Sequence, residues 1–256
     1  MDERPYFAYV QARLQARHGM RPDEQLWRRL ASVGDLGGFL DTARRTVLRP
    51  WVVGMQAAQS NHTMELLLRQ RFRGCVDEVV QWLPVRWGAT LRWVRRLPDL
   101  PALQHLLSGE IAPPWMLDDP VLQGFASTDM SRRQEALRHS DYACLVSAWQ
   151  RGTPLPDAWH EQWRRLWPAV RGQDAGLVYL GRLLQKYLQA MYAAPTALPD
   201  HRRTLLVPGL NHAFRRYAFQ PAAACAHLGL VALDLERLRA ELLSRALFPG
   251  IAGPGT

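Results

Sequence analysis

Lysine is all but missing from this chain: Lys186 stands alone, and 31 of the 32 basic residues are arginine. A formal net charge of +9 would ordinarily raise nucleic acid or an acidic membrane surface as partners. The arginines, however, are spread in ones and twos along nearly every helical segment, as at Arg28-Arg29, Arg95-Arg96, Arg164-Arg165 and Arg215-Arg216. That spread reads as solvated helix faces, in a composition that a genome rich in G and C also produces. Cysteine is scarce too. Cys75, Cys144 and Cys225 lie far apart and no two of them form a CxxC, so neither a zinc site nor a disulfide framework is signalled, and a reducing cytoplasm fits. There is no uncharged run long enough to span a bilayer, and the opening Met1-Asp2-Glu3-Arg4 lacks the apolar segment of a signal peptide. Any tie to a membrane is expected to run through a partner protein or a lipid headgroup.

Catalytic signatures are missing as well. No glycine-rich loop ends in Gly-Lys-Ser or Gly-Lys-Thr, and Gly34, Gly37 and Gly38 do not follow a strand, so phosphate cradling is unsupported. His160-Glu161 lacks the second histidine, one helical turn on, that would share a zinc ion. Glu110, Asp118 and Asp119 sit near prolines and read as turn-formers. His62, His105, His212 and His227 occur singly in helical patterns and read as packed or surface residues. The tryptophans, among them Trp27, Trp82, Trp87, Trp93, Trp149, Trp159, Trp163 and Trp167, recur at core-facing spacing, where apolar area alone explains them. No catalytic residue, cofactor or metal site is expected.

What the chain does contain is helix. Apolar content of 48% over 256 residues is ample for a core. Leu66, Leu67, Phe72, Val76, Val79, Val80 and Leu83 recur at three- and four-residue steps, predicting a helix over 62–83. Further helices are predicted over 6–17, from Pro22-Asp23-Glu24, from Asp35, and over 87–96, 131–150, 157–170, 174–192, 200–219, 221–231 and 234–247. Strand content is expected to be near zero, and the tail 249–256 to fray. The least periodic stretch, 111–120, predicts a hinge between an N-terminal part (1–115) and a C-terminal part (116–256), unless the whole is one continuous helical unit.

One phrase is written twice. Asp99-Leu100-Pro101-Ala102-Leu103-Gln104-His105-Leu106-Leu107-Ser108 and Asp234-Leu235-Glu236-Arg237-Leu238-Arg239-Ala240-Glu241-Leu242-Leu243-Ser244 each set an aspartate before leucines at helical spacing. The aspartates predict helix N-caps, the leucines a buried stripe. Repeated helical units build surfaces and sockets more often than active sites.

These phrases and the opening Phe7-Ala8-Tyr9-Val10-Gln11-Ala12-Arg13-Leu14-Gln15-Ala16-Arg17 resemble the family of V-type and A-type ATPase C subunits, the d subunits of eukaryotes. The opening is similar to that family's Tyr-x-x-Ala-Arg-x-Arg phrase, the Asp99 helix to its Asp-Ile-x-Asn-Leu-x helix, and the Asp234 helix to its Glu-Ile-x-Asn-Leu-Arg helix. Gln15 replaces a frequent arginine, and Ala102 and Arg237 replace both asparagines. The resemblance implies an all-α fold of repeated helical lobes forming a funnel- or wedge-shaped, pseudo-symmetric assembly. It further implies a non-catalytic rotor adaptor that links the central shaft to the membrane proteolipid ring and transmits torque for ion transport. The partners would be that ring and the central-stalk subunits, and the location cytoplasmic and peripheral to the inner membrane. Expected contact residues are Arg13, Arg17, Asp99, Asp234 and Arg239. The alternative from composition is a basic helical nucleic-acid-binding or regulatory module.

Overall fold

The computed structural model describes residues 4–169, 175–193 and 199–248, and among them every regular element is a helix. None of these helices is long and apolar enough to cross a membrane. The tail expected to fray, 249–256, lies outside the described residues. The chain divides into two compact units, Met1–Trp82 with Leu210–Thr256, and Leu83–Gly209. The break expected between residues 115 and 116 coincides with neither crossing. The stretch around it belongs to the second unit: Pro114–Asp118 forms a 3-10 turn with Met116 at 1% exposure, and Asp119 is wholly buried.

The first unit opens with α1 (Arg4–Gly19), α2 (Glu24–Ala31), α3 (Leu36–Arg44), the single turn α4 (Arg49–Val52) and α5 (Asn61–Trp82). The short helices start where local chemistry says they should. Asp23 accepts from the Leu26 N–H and Asp35 from the Gly38 N–H, each at 2.7 Å, and both caps have the extended backbone an N-cap needs. On α5 Phe72, Val76, Val79 and Val80 of the predicted stripe are buried, whereas Leu66 and Leu67 are half-buried and Leu68 takes the inner position instead. The loop after α4 is tied down by side chains: the Arg71 guanidinium donates to the carbonyls of Trp51 and Val53, and that of Arg44 to the carbonyl of Met55.

The second unit holds α6 (Gly88–Arg92), α7 (Leu100–Leu107), α8 (Met130–Arg138), α9 (Ala143–Gln150), α10 (Leu155–Arg165) and α11 (Ala175–Ala193), joined by 3-10 turns. The helix predicted over 87–96 is split, with 3-10 geometry at Val85–Trp87 and again at Trp93–Asp99, where Pro98 removes a backbone donor. The helix predicted over 131–150 breaks at Ser140, whose hydroxyl bonds the Leu137 carbonyl and the Tyr142 N–H in place of the backbone ladder. Trp93 and Trp159 exchange indole N–H bonds to each other's carbonyl, at 3.0 and 3.3 Å. Arg133, 2% exposed, donates to the carbonyls of Glu110 and Ser127, so this arginine is an internal staple and not part of a solvated face.

The chain returns to the first unit within α12 (Pro199–Arg216) and ends in α13 (Pro221–Leu247). Between them Phe219 adopts a left-handed backbone, φ 62°, and its N–H donates to the side chain of buried Gln11 on α1 at 3.2 Å. The two helices predicted over 221–231 and 234–247 are one continuous 27-residue helix. No glycine or proline interrupts Leu233-Asp234-Leu235-Glu236, so nothing in the backbone stops it. It packs against α5 and α1, and Leu228, Leu238 and Leu242 lie at 0–1% exposure. Burial of each such side chain contributes roughly 1.5–3 kcal/mol. Arg245, 3% exposed, donates to the Leu30 and Val33 carbonyls and so closes the C-terminal end of α2.

Candidate functional site

Both aspartates of the repeated phrase depart from their expected role. A capping aspartate needs extended backbone outside the helix. Asp99 instead has φ −91° and ψ −16° and caps no N–H, while Asp234 lies mid-helix in α13. Each is a buried carboxylate held by a long-range donor. Asp99, 1% exposed, accepts from the Tyr142 hydroxyl at 2.7 Å. Asp234, 6% exposed, accepts from Nε of Arg21 at 2.7 Å.

The Arg21–Asp234 pair lies in a cavity of about 90 Å³ within the first unit, walled by the end of α1, α4, the last turns of α5 and the middle of α13. A second pair lines it, Arg17 to Glu78 at 2.5 Å. The pairs differ in depth. The side chains of Arg17 and Glu78 are 50% and 39% exposed, those of Arg21 and Asp234 15% and 8%. An exposed pair contributes about 0–1 kcal/mol, whereas removing one partner of a buried pair leaves an uncompensated charge at about 3–5 kcal/mol. The inner pair therefore governs the local fold and the outer pair is free to exchange.

His227 of α13 also lines the cavity. It is 2% exposed, and its Nδ1 has no hydrogen-bond partner among the described residues. Burial, with help from His18, Arg21 and Arg17, pushes its pKa down to about 3, so it is a neutral imidazole at physiological pH. His18 stacks on Phe214 at 4.2 Å and stands 6.4 Å from His227; burial, Arg21 and Arg215 lower its pKa in the same direction. The Cys75 thiol, on the same wall, is pushed up to about 11 by burial and then by Glu78, against the opposing pull of Arg17. A thiol with that pKa is a poor nucleophile near neutral pH. Among the described residues no three histidines, cysteines or carboxylates gather closely enough to hold a metal ion.

Of the five residues named from sequence, Arg17 and Asp234 meet at this cavity. Arg13 lies beside it, its guanidinium 4.9 Å from the Tyr9 ring and 5.1 Å from that of Trp82, which lines the cavity. Arg239 is elsewhere on the first unit, paired at 2.7 Å with Glu65, roughly 20 Å up α5 from Glu78. Asp99 belongs to the second unit. Sequence reasoning missed Arg21, Cys75 and Glu78 and took His227 as a packed or surface residue. Arg21 and Asp234 are 213 positions apart, and no local spacing couples them. Comparison with protein-family models, with curated proteins and with solved structures finds no match to this chain.

Proposed function

We propose that this protein is a non-catalytic central-rotor adaptor of a V/A-type rotary ATPase, joining the central shaft to the proteolipid ring and passing torque between them. The observation that carries the reading is the matched fate of the two repeated phrases. In each, the aspartate is buried and bonded across the fold, and the leucine four residues on, Leu103 or Leu238, is wholly buried. One phrase falls in each unit. Two units that each bury the aspartate and the following leucine of the phrase support related helical lobes, the building blocks of a funnel- or wedge-shaped, pseudo-symmetric body.

Its partners are then the ring and the central-stalk subunits, and its place the cytoplasmic side of the inner membrane, held through the complex. Arg13, Arg17 and Arg239 are exposed on the first unit and suit contact with polar loops and anionic headgroups. Each basic group near such a surface contributes roughly 1 kcal/mol, screened by salt. The exposed pair Arg17–Glu78 is weak enough to be exchanged for partner carboxylates.

The test is affinity purification of the tagged protein from its native membranes in mild detergent, with mass spectrometry of what accompanies it and a salt wash as control. Recovery of proteolipid and shaft subunits is expected. A preparation without them, or one dominated by nucleic acid whose retention falls steeply with salt, would overturn the reading.

A further inference from the structure

The first-unit cavity holds more hydrogen-bonding capacity than the protein uses. A guanidinium offers five N–H donors. Among the described residues Arg21 spends its Nε on Asp234, and Arg17 one terminal nitrogen on Glu78. His227, almost fully buried on the same wall, leaves Nδ1 unpartnered. An unmatched buried group such as His227 Nδ1 costs about 1–3 kcal/mol, and it borders the same space as Arg21 and the half-exposed Arg17.

Three properties of that space select what fits. Its volume, about 90 Å³, is smaller than the roughly 150 Å³ that accommodates benzene, so the ligand has only a few heavy atoms. Its charges balance: Arg17 and Arg21 against Glu78 and Asp234, with His227 uncharged. A dianion such as phosphate would face both carboxylates, while a single negative charge can share the unspent guanidinium donors. The remaining wall is apolar, with Leu48, Val79, Trp82 and Val231 among its residues, which suits a short alkyl group. We propose that the cavity is a binding site for a free short-chain monocarboxylate, its carboxylate held by Arg21 and Arg17 and its alkyl end against Trp82 and Leu48. A planar carboxylate matches the guanidinium fork, which can donate two parallel bonds to it. The site lies wholly within one unit and does not depend on the rotor reading.

Sodium propionate is the probe. Saturation-transfer NMR on the full chain should show saturable binding of propionate, with propionamide, equal in shape but uncharged, at least tenfold weaker. Iodoacetamide labelling reports the place of binding, since Cys75 lines the cavity and Cys144 does not. Propionate should slow Cys75 modification several-fold and leave Cys144 unchanged. The double variant Arg21→Gln/Asp234→Asn keeps the charge balance while removing the inner guanidinium, and should weaken propionate at least tenfold. If that variant does not fold, Cys75 protection in the unmodified protein decides. Equal behaviour of propionate and propionamide, absence of Cys75 protection, or binding of N-acetylglycylglycine with none of propionate would each overturn the proposal. The last outcome would assign the site to the carboxylate terminus of a protein chain.

Discussion

Asp99 in the second unit and Asp234 in the first begin the same phrase and are both buried, yet they are answered by different chemistry. Asp99 meets a neutral phenol, Tyr142, in packed surroundings beside Phe125, whose ring lies edge-on to that of Tyr142. Asp234 meets a cation, Arg21, at the edge of a cavity that also contains the Arg17–Glu78 pair and His227. A buried carboxylate is costly unless it is bonded or paired, and the two units meet that demand in different ways. The phenol completes an interior, whereas the guanidinium retains donors for something else. The cavity and its charged lining belong to the first unit, and the bonded, enclosed carboxylate of Asp99 to the second.

The sharpest way to break the comparison is Arg21→Ala. It takes the paired cation from the buried Asp234 carboxylate and should cost about 3–5 kcal/mol in urea unfolding, with Arg21→Gln/Asp234→Asn recovering more than half of the loss. A loss below about 1 kcal/mol would mean that the pair behaves as a surface pair. In the second unit, Tyr142→Phe removes a single donor to a carboxylate and should cost about 2 kcal/mol. The deficit should shrink when Asp99→Asn is added, and a Tyr142→Phe protein as stable as its parent would erase Asp99 as an anchor.

Acid acts on both units, since burial also lowers the pKa of His160 in the second, but the shift of His227 in the first is large. His227 has a pKa near 3 in the fold against about 6.5 unfolded, so below pH 6.5 the unfolded chain binds the extra proton. Stability is fully present above that pH and falls as the pH drops toward 3. At pH 5 the loss from this residue relative to pH 7 should be about 2 kcal/mol, with His18 adding in the same direction. Unfolding titrations of His227→Gln should show a flatter slope between pH 7 and 5, and an unchanged slope would contradict the assignment. The smallest effect is expected at the surface: Arg239→Ala should cost under about 1 kcal/mol, and less still in 1 M salt, because the Arg239 guanidinium of its pair with Glu65 is half-exposed and screened.

Much of the helical architecture was legible because its causes are local. Asp23 and Asp35 cap helices three residues ahead of the N–H groups they accept, and the α5 stripe follows the helical period within a single segment. The reading failed where distant residues decide. Asp234 looks like a cap to any local reading, since leucines follow it at helical spacing. Arg21, brought in from the turn after α1, helps make an aspartate tolerable in the middle of a buried helix face. Asp99 fails as a cap because the 3-10 turn through Pro98 delivers it in helical and not extended backbone. The arginines taken for a solvated coat include Arg133 and Arg245, both buried and spent on main-chain carbonyls. Composition counts such residues as positive charge, and the fold uses them as hydrogen-bonding staples. The cavity was hidden for the same reason, since its walls come from four separate stretches of chain.

The rotor reading is tested most directly by transport. Inverted membrane vesicles from source cells with and without the gene would be given ATP, and ion uptake followed with a pH-sensitive dye and a sodium tracer. The account predicts that V/A-type ATP-driven uptake of one of the two ions is lost with the gene and returns when it is supplied on a plasmid. Uptake unaltered by its removal would contradict a torque-transmitting adaptor.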